Sequence, residues 1–334
     1  MSRILTALVA LVLATPALTA EPVLAPGEIV AAAPKADWVA IAPSDLLVMD
    51  LTPDAKRKPR RVVIQLMPPP FSQGWIGNIR KLAAAHWWDG LSVNRVQDNY
   101  VAQWGDADGE DKAKAKALPD GLAVRPEADY EVSLEGPIDA ALRRKLKSED
   151  AILQAAFTNH VGEKKIRAIS RAIPRDPYSD ETIAYSGWLI AVDRETRTGW
   201  PIHCYGMVGV GRDMPPNTGS GAELYVVIGH APRHLDRNIA LVGRVIEGIE
   251  HLSSLPRGTG ALGFYETREE RTGIVSVRLG SEVAGLAGYE YLSTESATFA
   301  RYADARANRR DAFFIRPAGG ADICNIPVPV RRVK

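Results

Sequence analysis

VNRVQDNYVAQWGD, Val93–Asp106, holds two strand-like runs, LSVNRV and NYVAQW, around a short polar break. Val, Tyr and Trp favour a pleated, half-buried surface. Within this β-prone stretch stands a single arginine, Arg95, with Tyr100, Val101 and Gln103 only a few residues on. A cation placed so near an amide and an aromatic ring asks for a chemical reason.

Strand patterns dominate on both sides of it. DLLVMDL (Asp45–Leu51) and RRVVIQL (Arg60–Leu66) are β-rich runs joined by the polar loop TPDAKRKP, which predicts a hairpin. In PPPFSQGWIGNIRKLAAAHWWDG the period changes: Phe71, Trp75, Ile79 and Leu82 fall three and four apart, with prolines before and Gly90 after, as in an amphipathic helix. Beyond Asp106, ADGEDKAKAKALPDG is charged and loop-like, DYEVSL (Asp129–Leu134) reads as a strand, and PIDAALRRKLKS and EDAILQAAFTNHVGEKK carry helical periodicity, Pro137 suiting a helix start. From Gly187 strands return: GWLIAVDRETRTGWPIHCYGMVGVGR reads as two strands around a Thr-Gly turn. AELYVVIGH, IALVGRVI and GIVSVRLG follow, with a short helix in EGIEHLSSL. SATFARYADARANRR reads as a helix and CNIPVPVRR as an extended tail. Many short strands with two well-separated helices favour a mainly β protein built on a closed barrel over a βαβ sheet.

The 334 residues are 46% hydrophobic and 24% charged, enough to bury a full core. With 41 Lys and Arg against 40 Asp and Glu the net charge is +1, which leaves no field to hold a polyanion and argues against nucleic acid as a partner. The start, MSRILTALVALVLATPALTAEP, has the layout of a secretory leader: Arg3, an apolar run from Ile4 to Ala14, and small residues ending at Ala17 or Ala20. The run is too short to span a bilayer comfortably, so no stable membrane span is expected after cleavage, and the location expected is periplasmic or secreted. Cys204 and Cys324 allow one disulfide tying the tail to the middle of the chain; two buried free thiols fit the sequence as well. His230 and His234 lie four apart, but Pro232 between them argues for a loop, and no metal site is expected. GMVGVG and TGSGAE lack the spacing of a dinucleotide or phosphate loop, and no G-x-S-x-G supports hydrolase chemistry.

Four blocks resemble the cyclophilin family of peptidyl-prolyl isomerases. RRVVIQLMPPPFSQGWIGNIRKLA is similar to the family's strand, proline turn and first helix. WWDGLSVNRVQDNYVAQWGD resembles its central His-Arg-Val and Phe-Met-x-Gln-Gly-Gly-Asp motif. YGMVGVGRDMPPNTGSGAELYVVIG and HLDRNIALVGRVIEGIEHL resemble the segments that follow. The resemblance implies an eight-stranded antiparallel barrel capped by two helices. On this chain that divides into a signal peptide at 1–20, an extended arm at 21–44, the barrel at 45–106 and 187–283, a helical insertion at 107–186 and a C-terminal extension at 284–334.

It also implies a chemistry whose physical need is plain. Amide resonance holds a prolyl bond planar behind a barrier of about 18–20 kcal/mol. When the bond twists, the nitrogen lone pair becomes a hydrogen-bond acceptor, and a cation aimed at it binds the twisted state better than either planar one. The resemblance gives this part to Arg95 and the holding of the preceding carbonyl to Gln103. It gives the apolar slot for the proline ring to Tyr100, Val101 and Tyr225, and the rim to Leu235 and His234. No cofactor is required, the partners implied are proline-containing polypeptides of exported or unfolded proteins, and a monomer is expected. The chain departs from the family pattern at Asn94 (usually His), Trp104 (Gly), Gly211-Arg212 (Ala-Asn), Glu223 (Gln), His234 (an aromatic) and Ile239 (His or Tyr). Asn94, Glu223 and Ile239 favour a rival reading, a proline-segment binder or chaperone without turnover; Arg95 with Gln103 favours the enzyme.

Overall fold

A computed structural model describes residues 23–158 and 176–333. Eight strands close into an antiparallel barrel in the order β10-β11-β5-β4-β13-β2-β3-β12, with β12 returning to β10. They are β2 (Leu46–Leu51), β3 (Arg60–Leu66), β4 (Ser92–Val96), β5 (Val101–Gly105), β10 (Met207–Val210), β11 (Leu224–Val227), β12 (Leu241–Glu247) and β13 (Thr272–Leu279). The closed eight-stranded barrel is the expected one. β2 shows why its sequence reads as a nearly unbroken apolar run. Leu47, Met49 and Leu51 fill the barrel interior, while Leu46 and Val48 belong to a second cluster on the outer face with Val63, Ile41 and Tyr289. A strand covered on both faces needs no alternation.

The expected amphipathic helix is α2 (Gln73–Ala84), which buries Trp75, Ile76, Ile79 and Leu82 against the barrel. Each such side chain contributes roughly 1.5–3 kcal/mol by leaving water. Phe71 is buried too but precedes the helix, because Ser72 at φ 54° is left-handed and starts it. Trp75 stacks on Tyr130 at 5.5 Å, and its Nε1–H donates to the Thr218 carbonyl at 3.1 Å, so the indole's polar edge is satisfied in the core. The short second helix is α4 (Glu250–Ser253).

The segments flanking the barrel differ from the sequence reading. The arm expected to be extended holds a helix, α1 (Pro26–Ala31), and a strand, β1 (Trp38–Ile41). Strand β1 pairs with β14 (Tyr289–Leu292), which pairs with β15 (Val330–Arg332), so arm and C-terminal extension build one three-stranded sheet. The extension's helix, α5 (Ala297–Ala307), is capped by the Ser296 side chain, which accepts from the Phe299 N–H.

The insertion is more than helical. Helix α3 (Gly136–Thr158) joins the two periodic stretches into one, beside a four-stranded sheet in the order β6-β9-β8-β7. Its strands are β6 (Val132–Ser133), β7 (Glu181–Tyr185), β8 (Trp188–Asp193) and β9 (Thr198–Pro201). The barrel therefore resumes at Met207 and not at residue 187. The cause is local: Ser186 and Gly187 both take positive φ (48° and 80°), the two-residue turn that folds a strand back on its predecessor, so β8 pairs with β7 through Tyr185 and Trp188. The leader reading of residues 1–20 and the helical reading of residues 159–165 fall outside the described residues. Among those described, no helix is long and apolar enough to cross a membrane.

Of the two readings of the cysteines, the disulfide is the one found: Cys204 and Cys324 are bonded across a separation of 120 residues. The bond fastens the extension to the segment entering β10. Closing so long a loop removes much of the unfolded chain's freedom, so the Cys204→Ser/Cys324→Ser double variant is expected to lose about 2–4 kcal/mol of stability in urea unfolding. An unchanged midpoint would show that packing alone holds the extension in place.

Candidate active site

The site begins with a register. β4 and β5 form a hairpin whose turn, Gln97 to Tyr100, uses Asn99 at φ 50°, a left-handed position that asparagine tolerates. Along β4, Val93 and Val96 both enter the core although they are three residues apart, which a regular strand cannot arrange. A bulge between Val93 and Arg95 resolves this by letting Asn94 count as the extra residue. Arg95 is thereby turned away from the barrel interior and set opposite Gln103. Gln103 is in turn opposite Tyr225 on β11, and Tyr225 opposite Gly209 on β10. Four neighbouring strands thus carry Arg95, Gln103, Tyr225 and Gly209 as one row across the outer face.

Arg95 is held from several sides. Its Nε–H donates to the Leu262 carbonyl at 2.8 Å, Nη1 to Gln103 Oε1 at 3.2 Å, and Nη2 to Gln97 Oε1. The guanidinium carbon lies 5.7 Å from the Tyr100 ring centroid and 5.2 Å from that of Phe264. Burial lowers its pKa, yet an arginine stays charged at any working pH. Three of its five N–H groups are occupied, which leaves one on each terminal nitrogen for a ligand. Gln97, Leu262 and Phe264 were not singled out from the sequence. The last two come from a distant loop that bonds along β4, Tyr265 N–H donating to the Asn94 carbonyl and Gly258 N–H to that of Val96. No motif marks that loop.

The row borders an apolar floor. Val101, Tyr225 and Val227 form a buried cluster, with Tyr100 and Ile239 packed against it. Tyr100, Val101 and Tyr225, grouped by the resemblance, are therefore brought together. Leu235 is half-buried and His234 exposed on the turn Arg233–Leu235, which leads into Ile239 through an N–H bond to the Leu235 carbonyl. That turn's loop leans on the β4–β5 hairpin: a Cβ at Gly229 would lie 2.0 Å from the Asn99 backbone. The row and its floor lie together on the outer face of the barrel, and this strip is the candidate groove. A cavity of about 610 Å³ lies between α1 and α5 and is lined by Ile29, Ala300 and Asp304, none of them part of the row.

The sequence matches the family model for cyclophilin type peptidyl-prolyl cis-trans isomerase/CLD over residues 75–278, a span holding both the row and the insertion. No curated protein matches the chain. Among solved structures, cyclophilin AquaCyp293 from Hirschia baltica is similar with a TM-score of 0.58 at 19% identity, covering 88% of this chain and 93% of its own. A cyclophilin type peptidyl-prolyl cis-trans isomerase from Cryptosporidium parvum gives 0.36 at 9% identity, covering 70% of this chain and 97% of its own. The first likeness bears on the fold, and its coverage takes it beyond the barrel.

Glu223, two residues before Tyr225 in sequence, closes one side of the row. Its Oε1 accepts from the Asp106 N–H at 2.6 Å, while Oε2 is buried without a partner. Burial pushes the carboxyl up to about 7, against the Asp106 N–H and the neighbouring Asn94 and Gln103 amides, which favour the charged form. Between the usual carboxylate range and pH 7 the folded chain therefore keeps a proton that the unfolded chain has released. Stability falls as pH rises through this window, and the full penalty is present above it. Glu223→Gln keeps the acceptor and removes the ionisation, so it is expected to stabilise the protein by on the order of 2–3 kcal/mol at pH 8 and hardly at all near pH 4.5. Urea unfolding at the two pH values checks this; an equal effect at both would contradict a buried ionisation.

Proposed function

The chain belongs to the cyclophilin-type peptidyl-prolyl cis-trans isomerases, and from that premise we propose that it is an exported member, acting as a monomer on Xaa-Pro bonds of exported or unfolded proteins. One observation carries the assignment of the site: Arg95 and Gln103 stand side by side, hydrogen-bonded at 3.2 Å, beside the Tyr100–Val101–Tyr225 floor.

The proline ring enters the apolar floor, with Leu235 and His234 at its rim. Arg95 occupies Gln103 Oε1, which leaves the amide nitrogen of Gln103, beside Glu223, as the donor. That donor holds the carbonyl preceding the proline. The free N–H groups of Arg95 meet the prolyl nitrogen as it pyramidalises, a contact worth little in either planar state, so the barrier falls. The aromatic faces of Tyr100 and Phe264 and the Leu262 carbonyl hold the guanidinium in place before substrate arrives, so little reorganisation is needed at the moment of twisting. The family match favours turnover over the reading as a binder alone.

Export is supported by the leader pattern in residues 1–20 and agrees with a disulfide, which persists in oxidising compartments. N-terminal sequencing of the protein recovered from the periplasm is expected to begin just after Ala17 or Ala20; an intact chain confined to the cytoplasm would sink the export reading. In a protease-coupled assay on Xaa-Pro peptides, Arg95→Ala is expected to lower kcat/KM about 100-fold or more with the circular dichroism unchanged. Arg95→Lys is expected to recover little of it, because a point charge lacks the guanidinium fork. A rate unaffected by Arg95→Ala would rule out the role given to this residue.

A further inference from the structure

Behind the floor runs a chain of polar groups that the isomerase chemistry does not use. The Tyr225 hydroxyl lies 2.8 Å from His203 Nε2, and His203 Nδ1 lies 2.8 Å from Asp236 Oδ1. Arg233 donates through Nε to Asp236 Oδ2 at 2.7 Å and through both terminal nitrogens to Asp176, at 2.8 and 2.6 Å. The side chains of His203, Asp236, Arg233 and Asp176 are all 5% exposed or less. Four regions of the chain meet here: β11, the segment entering β10, the loop before β12, and the insertion just ahead of β7. Nothing local in the sequence announces them.

The proton positions follow from the partners. Burial drives the Tyr225 pKa well above its usual value, so the phenol keeps its proton and donates it. Burial also pushes the His203 imidazole down, against the pull of Asp236, and keeps it neutral. For Asp236 burial acts the other way, but the bonds from His203 and Arg233 outweigh it and hold the carboxylate ionised. The imidazole therefore carries its hydrogen on Nδ1, facing Asp236, and accepts from Tyr225 at Nε2.

The Tyr225 ring has reason to need a tether. It lies over Gly209, where an added Cβ would come within 2.3 Å of the phenolic oxygen. The glycine admits the ring against the β10 backbone, and the hydroxyl's bond to His203 fixes the ring's far end there. We propose that His203, Asp236, Arg233 and Asp176 form a positioning chain that anchors the Tyr225 ring to the insertion, making the insertion a determinant of catalysis in the groove. None of the four is a catalytic residue; they act through Tyr225. A buried ion chain is a poor source of net stability, since apolar replacements often match it, but it fixes geometry well.

This rests on the isomerase reading above, and the test separates the two. With the mature, oxidised protein, kcat/KM on an Ala-Pro peptide is measured for Asp176→Asn in the parent and in the Tyr225→Phe background, which cuts the chain at the groove. The expected result is a loss of about tenfold in the parent and under twofold in the cut background, the non-additivity of residues acting through one contact. Equal losses in both backgrounds, or none in the parent, overturn the proposal. If Asp176→Asn does not fold, Ser179→Ala, which removes the hydroxyl 2.6 Å from Asp176 Oδ2, is read in the same two backgrounds. The imidazole ¹⁵N shifts of His203 give a readout free of turnover: a neutral ring protonated on Nδ1 is expected at pH 7.5, and a charged ring or the other tautomer overturns the tether. A parent without turnover would defeat the isomerase reading, and the ¹⁵N signature would still decide the tether.

Discussion

The bulge at Asn94 is the constraint on which the site depends. A strand that alternated regularly would either keep Val93 inside with Arg95 beside it and lose Val96 from the core, or keep Val96 inside and lose Val93. One extra residue lets both valines stay inside and turns the guanidinium outward, level with Gln103, Tyr225 and Gly209. The ladder loses some regularity there, and the Asn94 side-chain oxygen is left buried without a partner. What is gained is a cation, an amide and an aromatic ring aligned on adjacent strands about 4.8 Å apart, a spacing that backbone hydrogen bonding fixes. Distances of this kind are set by the sheet and do not depend on the conformation of a loop.

Much of this was legible in the sequence, for identifiable reasons. The barrel strands and α2 declare themselves through period and composition, and the Arg95, Tyr100, Val101 and Gln103 group lies in one short hairpin whose parts cannot move far from each other. Tyr225 was reachable only through the family resemblance, since nothing local ties it to a strand some 120 residues earlier. Two things escaped. The Ser186-Gly187 turn is a two-residue hairpin signal, but the apolar strand after it looks the same in either sheet, so its pairing was assigned to the barrel. The arm was read as extended because proline and alanine are weak signals of a partner, and β1 owes its existence to β14, near the other end of the chain.

The polar groups around the groove show two ways of managing charge away from water. Arg95 and Arg233 are both hemmed in, but Arg233 is neutralised by two carboxylates while Arg95 meets only neutral acceptors and ring faces. An arginine already satisfied by carboxylates has nothing to offer a ligand. The unneutralised one keeps its charge available, and it is the one on the groove. Glu223 adds a third case, a carboxyl that burial leaves poised between its two forms near neutrality. The Asn94 and Gln103 amides favour its charged form while burial opposes it, and burial prevails.

The seam between β1 and β14 bears on the order in which the molecule can be assembled. β1 is synthesised ahead of every barrel strand, yet the strand it needs follows the last of them. The barrel can close on its own pairings while β1, with Trp38 and Ile41 on its buried positions, still presents an open edge. Long-range closure of this kind is slow, and an unfilled apolar edge is the surface on which folding chains stick to one another. A chain that emerges front end first therefore leaves β1 without its partner until every barrel strand has been made, and the clasp is the last seam that can be buttoned.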